Sequence, residues 1–298
     1  MAMLQLVQQA SAELGLAVPS SVAGNQTQDV VQMLALLNAA GYELARQYPW
    51  QALNTEYRFT TQYSTQTGTT TDGSAVVTGL SDTSSLDTTY MVTGTGINQD
   101  TYILTVDSAT QVTLSQAANV TGSASLTFSK VKYAMPAGFD RITDRTQWDK
   151  SKHWEMLGPE TPQQWQWLKS GYISTGPRMR WRQMGGYFQV WPPMGTNEYL
   201  GFEYVSSYWA QDSSGTFVAS LTQDTDTAIF PDRLMVLALK LKYFETKGFE
   251  TTALFRDYNM QLEIAKSADG GAPNLSMAPR MSTALIGWVN LPDSGYGS

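Results

Sequence analysis

The sequence contains no cysteine and a single histidine, His153, among its 298 residues. Without thiolates it can form no disulfide and no cysteine-ligated zinc or iron–sulfur site. One imidazole cannot build a histidine-rich metal centre, and no nucleophile stands beside it in the sequence, so we expect a structural role for His153. These absences predict a protein that is not an enzyme, with no catalytic residues, no cofactor and no bound metal.

Charged residues are also scarce, at 15% of the chain, and the net charge is -7. An open nucleic-acid-binding surface needs clustered lysine and arginine to displace counterions from the phosphates. The composition therefore argues against such a surface, although DNA could pass through a channel without specific binding. No apolar run is long enough to cross a bilayer, and the first residues lack the basic and apolar blocks of a secretory signal. The sequence predicts a protein made in a cytoplasm, with no membrane contact.

Helical periodicity appears at both ends of the chain. Apolar residues recur at helical spacing over 2–15 and 27–47, and again over 231–247 and 251–266. Each segment has one apolar stripe, which it cannot bury alone. We therefore predict that the N-terminal and C-terminal helix pairs pack together as a helical bundle. A shorter helix is predicted at Pro162–Lys169, where proline occupies the first helical position.

Residues 64–128 differ in composition from everything around them. They contain no lysine or arginine, and short β-branched runs alternate with glycine and aspartate turns. We expect a small all-β module at 64–129, inserted into a core made of 1–63 and 130–266. The predicted fold class is thus α+β: a helical bundle from the N- and C-terminal helix pairs, a β part and the inserted module. The remaining residues, 267–298, are predicted to form an extended C-terminal arm.

Three arginines alternate along a predicted strand. Arg178, Arg180 and Arg182 point to one face, because successive side chains of a strand alternate. Like charges repel unless an acidic surface covers them, and arginine is enriched at interfaces. The three arginines therefore either contact a neighbouring subunit or partner, or face DNA, or face solvent. Of these, we take the subunit or partner contact as the working hypothesis.

The C-terminal arm carries an apolar cluster in a glycine- and proline-rich context. It shows no helical or strand period. An apolar cluster on such an arm requires a docking site elsewhere, which the arm would bind at the cost of its ordering entropy. The predicted interface residues of the arm are Leu285, Ile286, Trp288, Val289 and Leu291.

Two further patterns each allow two interpretations. Asp224 and Asp226 stand on alternate residues and could hold a hard cation such as Ca²⁺, but they lack the glycine and distant glutamate of an EF-hand, so a capping loop is favoured. The many tryptophans and tyrosines between 165 and 209 could stack on sugars, although core and interface packing is their commoner use.

Several local segments resemble the head-to-tail adaptor proteins of short-tailed bacteriophages, also called tail accessory or tail tubular A-type proteins. The likeness covers about 1–63 and 130–273. It is carried by Tyr48-Pro49-Trp50, PAGFDRI (Pro136–Ile142), GPETPQQWQWLK (Gly158–Lys169), FEYVSSYW (Phe202–Trp209) and DTDTAIFPDRL (Asp224–Leu234). The inserted module departs from the family pattern.

This resemblance implies a virion structural protein at the head–tail junction. The implied assembly is a ring of twelve subunits between the portal protein and the tail nozzle protein, continuing the channel for DNA ejection. The alternative is a virion adhesin or glycan-binding tail protein that uses the inserted module. An adhesin module should expose clustered tryptophan or tyrosine, whereas 64–128 contains only Tyr90 and Tyr102.

Overall fold

The computed structural model describes residues 1–170 and 178–270. Its helices are α1 (Met3–Leu14), α2 (Gln28–Gln47), α3 (Pro162–Lys169), α4 (Asp232–Lys247) and α5 (Thr252–Gly270). Its strands are β1 (Asn54–Thr60), β2 (Tyr63–Thr70), β3 (Val76–Val77), β4 (Tyr90–Gly94), β5 (Thr101–Ser108), β6 (Gln111–Leu114), β7 (Gly122–Lys130), β8 (Lys132–Ala134), β9 (Phe139–Ile142), β10 (Trp148–Asp149), β11 (Trp154–Glu155), β12 (Arg180–Met184), β13 (Tyr187–Trp191), β14 (Tyr199–Ser206), β15 (Ala210–Gln211), β16 (Phe217–Val218) and β17 (Thr227–Ala228).

The predicted fold class is wrong. Within the described residues, seventeen strands in four antiparallel sheets make up most of the architecture, and only five helices accompany them. The protein is therefore mainly β and not a helical bundle with a β part. The error has a physical cause: strands such as β10, β11 and β15–β17 are two residues long, too short to show the alternation by which a strand is recognised.

Helices α1, α2, α4 and α5 share one hydrophobic cluster with Trp50, Trp209 and Phe230. The ends of α1 and α4 are set by Gly15 and Gly248, which adopt the left-handed conformation that glycine tolerates best. α4 contacts each of the other three helices and is buried on most of its surface. The helix ends lie within one residue of their predicted positions, except that α5 continues to Gly270, into residues assigned to the arm.

Two of the sheets outside 63–130 pack around a second, aromatic cluster, whereas the sheet of β15, β16 and β17 packs with the helices. β1 pairs with β14, which also pairs with β9 and β10, while β13 lies between β12 and β8. The rings of Phe188 and Phe202 stack 4.8 Å apart, and Trp181 stacks on Phe188 at 5.2 Å. Such offset aromatic contacts stabilise a core beyond their buried area. This cluster fixes β12, and with it the arginine row.

Residues 63–130 form a separate six-stranded sheet in the order β2-β7-β4-β5-β6-β3. The two ends of the sheet meet, because the main chains of Thr69 and Thr78 exchange hydrogen bonds of 2.8 and 3.0 Å. A closed sheet leaves no open edge for pairing with another chain. Its hydrophobic cluster draws every member from residues 77–128. No helix of the described residues is both long and apolar enough to cross a membrane.

Candidate interaction surfaces

The arginine row lies on and next to β12. Trp181, between Arg180 and Arg182, is buried on the opposite face of the strand, as the alternation predicts. Arg178 lies just before β12 and is exposed. The side chains of the row thus point away from the aromatic cluster.

One arginine of this row has an internal partner. Arg180 donates to the Oε1 atom of Glu160 at 2.6 Å, and Glu160 is buried. A buried carboxylate is costly unless a cation and hydrogen bonds compensate it, so Arg180 stabilises the fold. Across residues 1–170 and 178–270, neither Arg178 nor Arg182 forms an ion pair. The surface that could meet an acidic partner is thus reduced to Arg178 and Arg182, and that contact stays a prediction.

The predicted arm residues Leu285, Ile286, Trp288, Val289 and Leu291 lie outside the described residues. The structure therefore shows only where the chain leaves the described part, at Gly270.

The outward face of α5 is a candidate surface that the sequence prediction missed. Met260 and Ile264 are 57% and 55% exposed. They point away from the buried residues Leu262 and Ala265 of the same helix, and their i, i+4 spacing was visible in the sequence. A helix with apolar residues on two faces needs a second packing partner.

A similar outward face exists on α2. Val31 and Tyr42 are each 49% exposed, and Ala35 and Ala39 between them are exposed as well. The i, i+4 and i+8 spacing of Val31, Ala35 and Ala39 places them in one row along a 20-residue helix. The guanidinium of Arg46 lies over the Tyr42 ring at 4.7 Å. This row is therefore a continuous, mainly apolar strip.

A small hydrophobic cluster joins the inserted module to the rest of the described chain. Met91 of β4 packs with Val131, with Trp165 and Leu168 of α3, and with Trp191 of β13. Beside it, the Lys169 Nζ atom lies 3.0 Å from the Asp100 carboxylate. A cavity of about 460 Å³ opens between β4 and the end of β13. The module is therefore packed against α3 and β13 and not only tethered to the core by its two ends.

Tyr102 lies between two lysines at this junction. The Nζ atoms of Lys132 and Lys169 lie 4.6 and 5.1 Å from the centre of its ring. Burial raises the pKa of the Tyr102 hydroxyl above its usual range, and the Asp100 charge adds to the effect. Burial also lowers the pKa of Lys132, with a further contribution from the charge of Lys169. These groups hold the junction together without supplying a nucleophile or base of catalytic geometry.

The aspartates at 224 and 226 serve the loop in which they stand. The Asp224 carboxylate accepts the main-chain N–H groups of Val22 and Ala23 at 2.9 and 2.8 Å. The Asp226 carboxylate accepts those of Thr222 and Gln223. Their carboxylate oxygens therefore accept hydrogen bonds from main-chain N–H groups of loops. The prediction that they cap the following helix is wrong, since Pro231 is the residue that precedes α4.

His153 is exposed on the turn between β10 and β11, with a positive φ of 58°. Within residues 1–170 and 178–270, no group of three or more metal-capable side chains is present.

Most of the tryptophans considered for sugar stacking, namely Trp165, Trp181, Trp191 and Trp209, are buried. Core packing accounts for these four.

Comparison with known proteins gives no family assignment. No protein-family model matches the chain, and no curated protein matches it.

Proposed function

We propose that the protein is a virion structural subunit. It assembles as a ring, of twelve copies by the family resemblance, between the portal protein and the tail nozzle protein of a short-tailed bacteriophage. The ring continues the channel through which DNA is ejected, without specific binding to the DNA. Assembly takes place in the host cytoplasm, and the finished ring lies at the head–tail junction.

The observation that carries this proposal is the pair of exposed apolar faces on α2 and α5. They are on different helices, so a contact between the α5 face of one copy and the α2 face of the next is heterologous. Heterologous contacts form a closed ring when the rotation between neighbours closes. A second copy of the chain is therefore the occupant that both faces suit. The net charge of -7 favours DNA passage over DNA binding.

The adhesin alternative has less support. In the inserted module Tyr90 is buried, and Tyr102 is half-buried between lysines. Tyr90 thus packs inside the module, and Tyr102 packs at its junction with the rest of the chain. The polar strand faces that remain are no platform for sugar stacking.

The test is the assembly state of the purified protein. We expect native mass spectrometry and negative-stain imaging to show rings, alone or with purified portal protein. The double variant Met260→Asp/Ile264→Asp should abolish them, because it puts charge on a buried contact. The control is Lys247→Gln, at an exposed position at the end of α4 and away from both apolar faces. A protein that stays monomeric at tens of micromolar with and without portal contradicts the proposal.

A further inference from the structure

β1 is an open sheet edge. It pairs with β14 on one side, and no other strand of the described residues pairs with its second side. The Thr61 N–H donates to the Glu198 carbonyl at 2.9 Å, so the main-chain N–H and C=O groups of Thr61 point toward the side of β14. Because this direction alternates along a strand, Glu56, Arg58 and Thr60 direct their N–H and C=O groups to the open side. An edge of this kind is a template for another strand.

An aromatic groove accompanies the second half of this edge. Its volume is about 450 Å³, and it is lined by Tyr57, Phe59 and Tyr133 among others. The ring of Phe59 lies 4.4 Å from that of Tyr133 and 5.5 Å from that of Tyr57. Lys130 is the one charged residue of the lining. Main-chain groups at an edge and an aromatic groove beside it together suit an extended, uncharged, apolar peptide.

The chain leaves the described structure at the start of this same strand. The Asp269 carboxylate, one residue before the end of α5, accepts the N–H groups of Gln51 and Ala52 at 2.6 and 3.2 Å. Those residues come just before Asn54, the first residue of β1. The C-terminal segment therefore begins close to Asn54, at the N-terminal end of the open edge strand.

The following sequence supplies a suitable occupant. Residues 282–291 carry no charge and include Leu285, Ile286, Trp288, Val289 and Leu291. At about 3.3 Å per residue, the connecting residues 271–284 reach up to roughly 46 Å, whereas the seven residues of β1 extend over about 23 Å. The segment is thus long enough to reach any part of the edge.

We propose that residues 285–291 bind along the open edge of β1 in the same chain, with apolar side chains in the groove of Tyr57, Phe59 and Tyr133. This inference does not depend on the proposed function. If the same segment also binds a partner protein, that binding must first displace it from β1.

Hydrogen exchange tests the contact on the isolated subunit. The full chain is compared with a chain that ends at Gly270. The amides of Glu56, Arg58 and Thr60 should exchange at least about tenfold faster in the shortened chain, because they lose their acceptors. The amides of Tyr57 and Phe59 face β14 and should be unchanged, which makes them an internal control. Equal exchange of Glu56, Arg58 and Thr60 in the two chains overturns the proposal.

Synthetic peptides test the mode of binding without altering the fold. Added to the shortened chain, a peptide of residues 282–292 should restore protection of the three edge amides, and a scrambled peptide should not. Two further peptides carry N-methyl groups on alternate amides, one on the odd-numbered and one on the even-numbered residues. Strand pairing predicts that one of them binds at least about tenfold more weakly while the other binds as the unmodified peptide does. Equal binding of both contradicts strand pairing.

A mixing experiment identifies the chain that supplies the segment. Isotope-labelled shortened chain is incubated with unlabelled full chain at increasing concentration. Binding within one chain predicts no protection of the labelled edge amides. Protection that grows with concentration would show that a second copy is the donor, and would overturn the assignment to the same chain.

Discussion

The helical region and the inserted module build their cores in opposite ways. The helical core joins Met3 of α1 to Ala265 of α5, so it can close only when both ends of the chain have come together. The core of the module uses residues 77–128 alone. Contacts between distant residues require a larger loop-closure entropy before they stabilise anything. The comparison indicates that the module can form first and that the helical region is completed last.

The two regions also differ in how their polar groups are satisfied. Helices α1 and α4 are joined by charges, since Glu13 receives hydrogen bonds from Arg233 and Lys240. The module has no lysine or arginine between 64 and 128, so its polar side chains form hydrogen bonds with one another and no internal ion pairs. One example is the Gln66 side chain, which forms hydrogen bonds with both Ser81 and Asp82. We therefore expect salt to act on the helical region more than on the module.

The largest effect should come from a charge placed in either core. Leu239→Asp in α4 and Leu126→Asp in β7 each put an unpaired carboxylate at a fully buried site, which costs about 4 kcal/mol or more. Hydrogen exchange should show Leu239→Asp opening the helices while the module stays protected, and Leu126→Asp doing the reverse. Ala253→Asp, at an exposed position of α5, is the control. Loss of protection in both regions from Leu126→Asp would contradict the independence of the two cores.

A smaller effect is expected where α2 touches Trp209. A Cβ atom added at Gly41 would lie 2.3 Å from the Trp209 ring, which is fully buried and cannot move aside. Overpacking of this kind costs about 1–3 kcal/mol, which exceeds the gain of about 1 kcal/mol from replacing a helical glycine by alanine. Gly41→Ala should therefore lower the thermal midpoint.

Gly122→Ala in β7 is the matched control for this substitution, because a Cβ atom there meets nothing within 4 Å. Its midpoint should stay near that of the parent chain. An unchanged midpoint in Gly41→Ala would show that the overpacking against Trp209 costs no more than the gain of about 1 kcal/mol from alanine.

The smallest effect concerns pH. Burial alone would raise the pKa of Glu13, but hydrogen bonds from Lys240, Gln9 and Arg233 outweigh it and lower this pKa from 4.5 to about 2. A lowered carboxyl pKa stabilises the fold above pH 4.5, and the contribution is lost as the pH falls toward 2. Glu13→Gln should therefore cost about 1 kcal/mol at pH 7 and progressively less below pH 4.5.

The surface pair of Glu263 and Lys266 provides the comparison for this prediction. Thermal midpoints of Glu263→Gln should differ less from the parent chain at every pH, since exposed ion pairs contribute little. A Glu13→Gln deficit that grows as the solution becomes more acidic would show that Glu13 does not link the two helices electrostatically.

Elements with strong local signals were predictable from the sequence. The bounds of α3 were predicted to the residue, because Pro162 occupies the first helical position. The overall class was not predictable, since strands of two residues are too short to show the alternation of a strand. The partner of Arg180 was hidden for another reason: Glu160 is near it only because Leu157 and Glu160 hydrogen-bond to the edge of β12.

The register of β2 and β7 has a mechanical consequence. The two strands enter and leave the inserted module side by side, and their pairing begins with Tyr63 opposite Ser129 and ends with Thr70 opposite Gly122. Because both strands join the core at this end, a pull on the module away from the core loads them equally and draws neither strand past the other. A force that spreads their two ends apart would instead load the hydrogen bonds one after another from the Tyr63 end. The module should thus resist a pull away from the core far better than a separation of Tyr63 from Ser129.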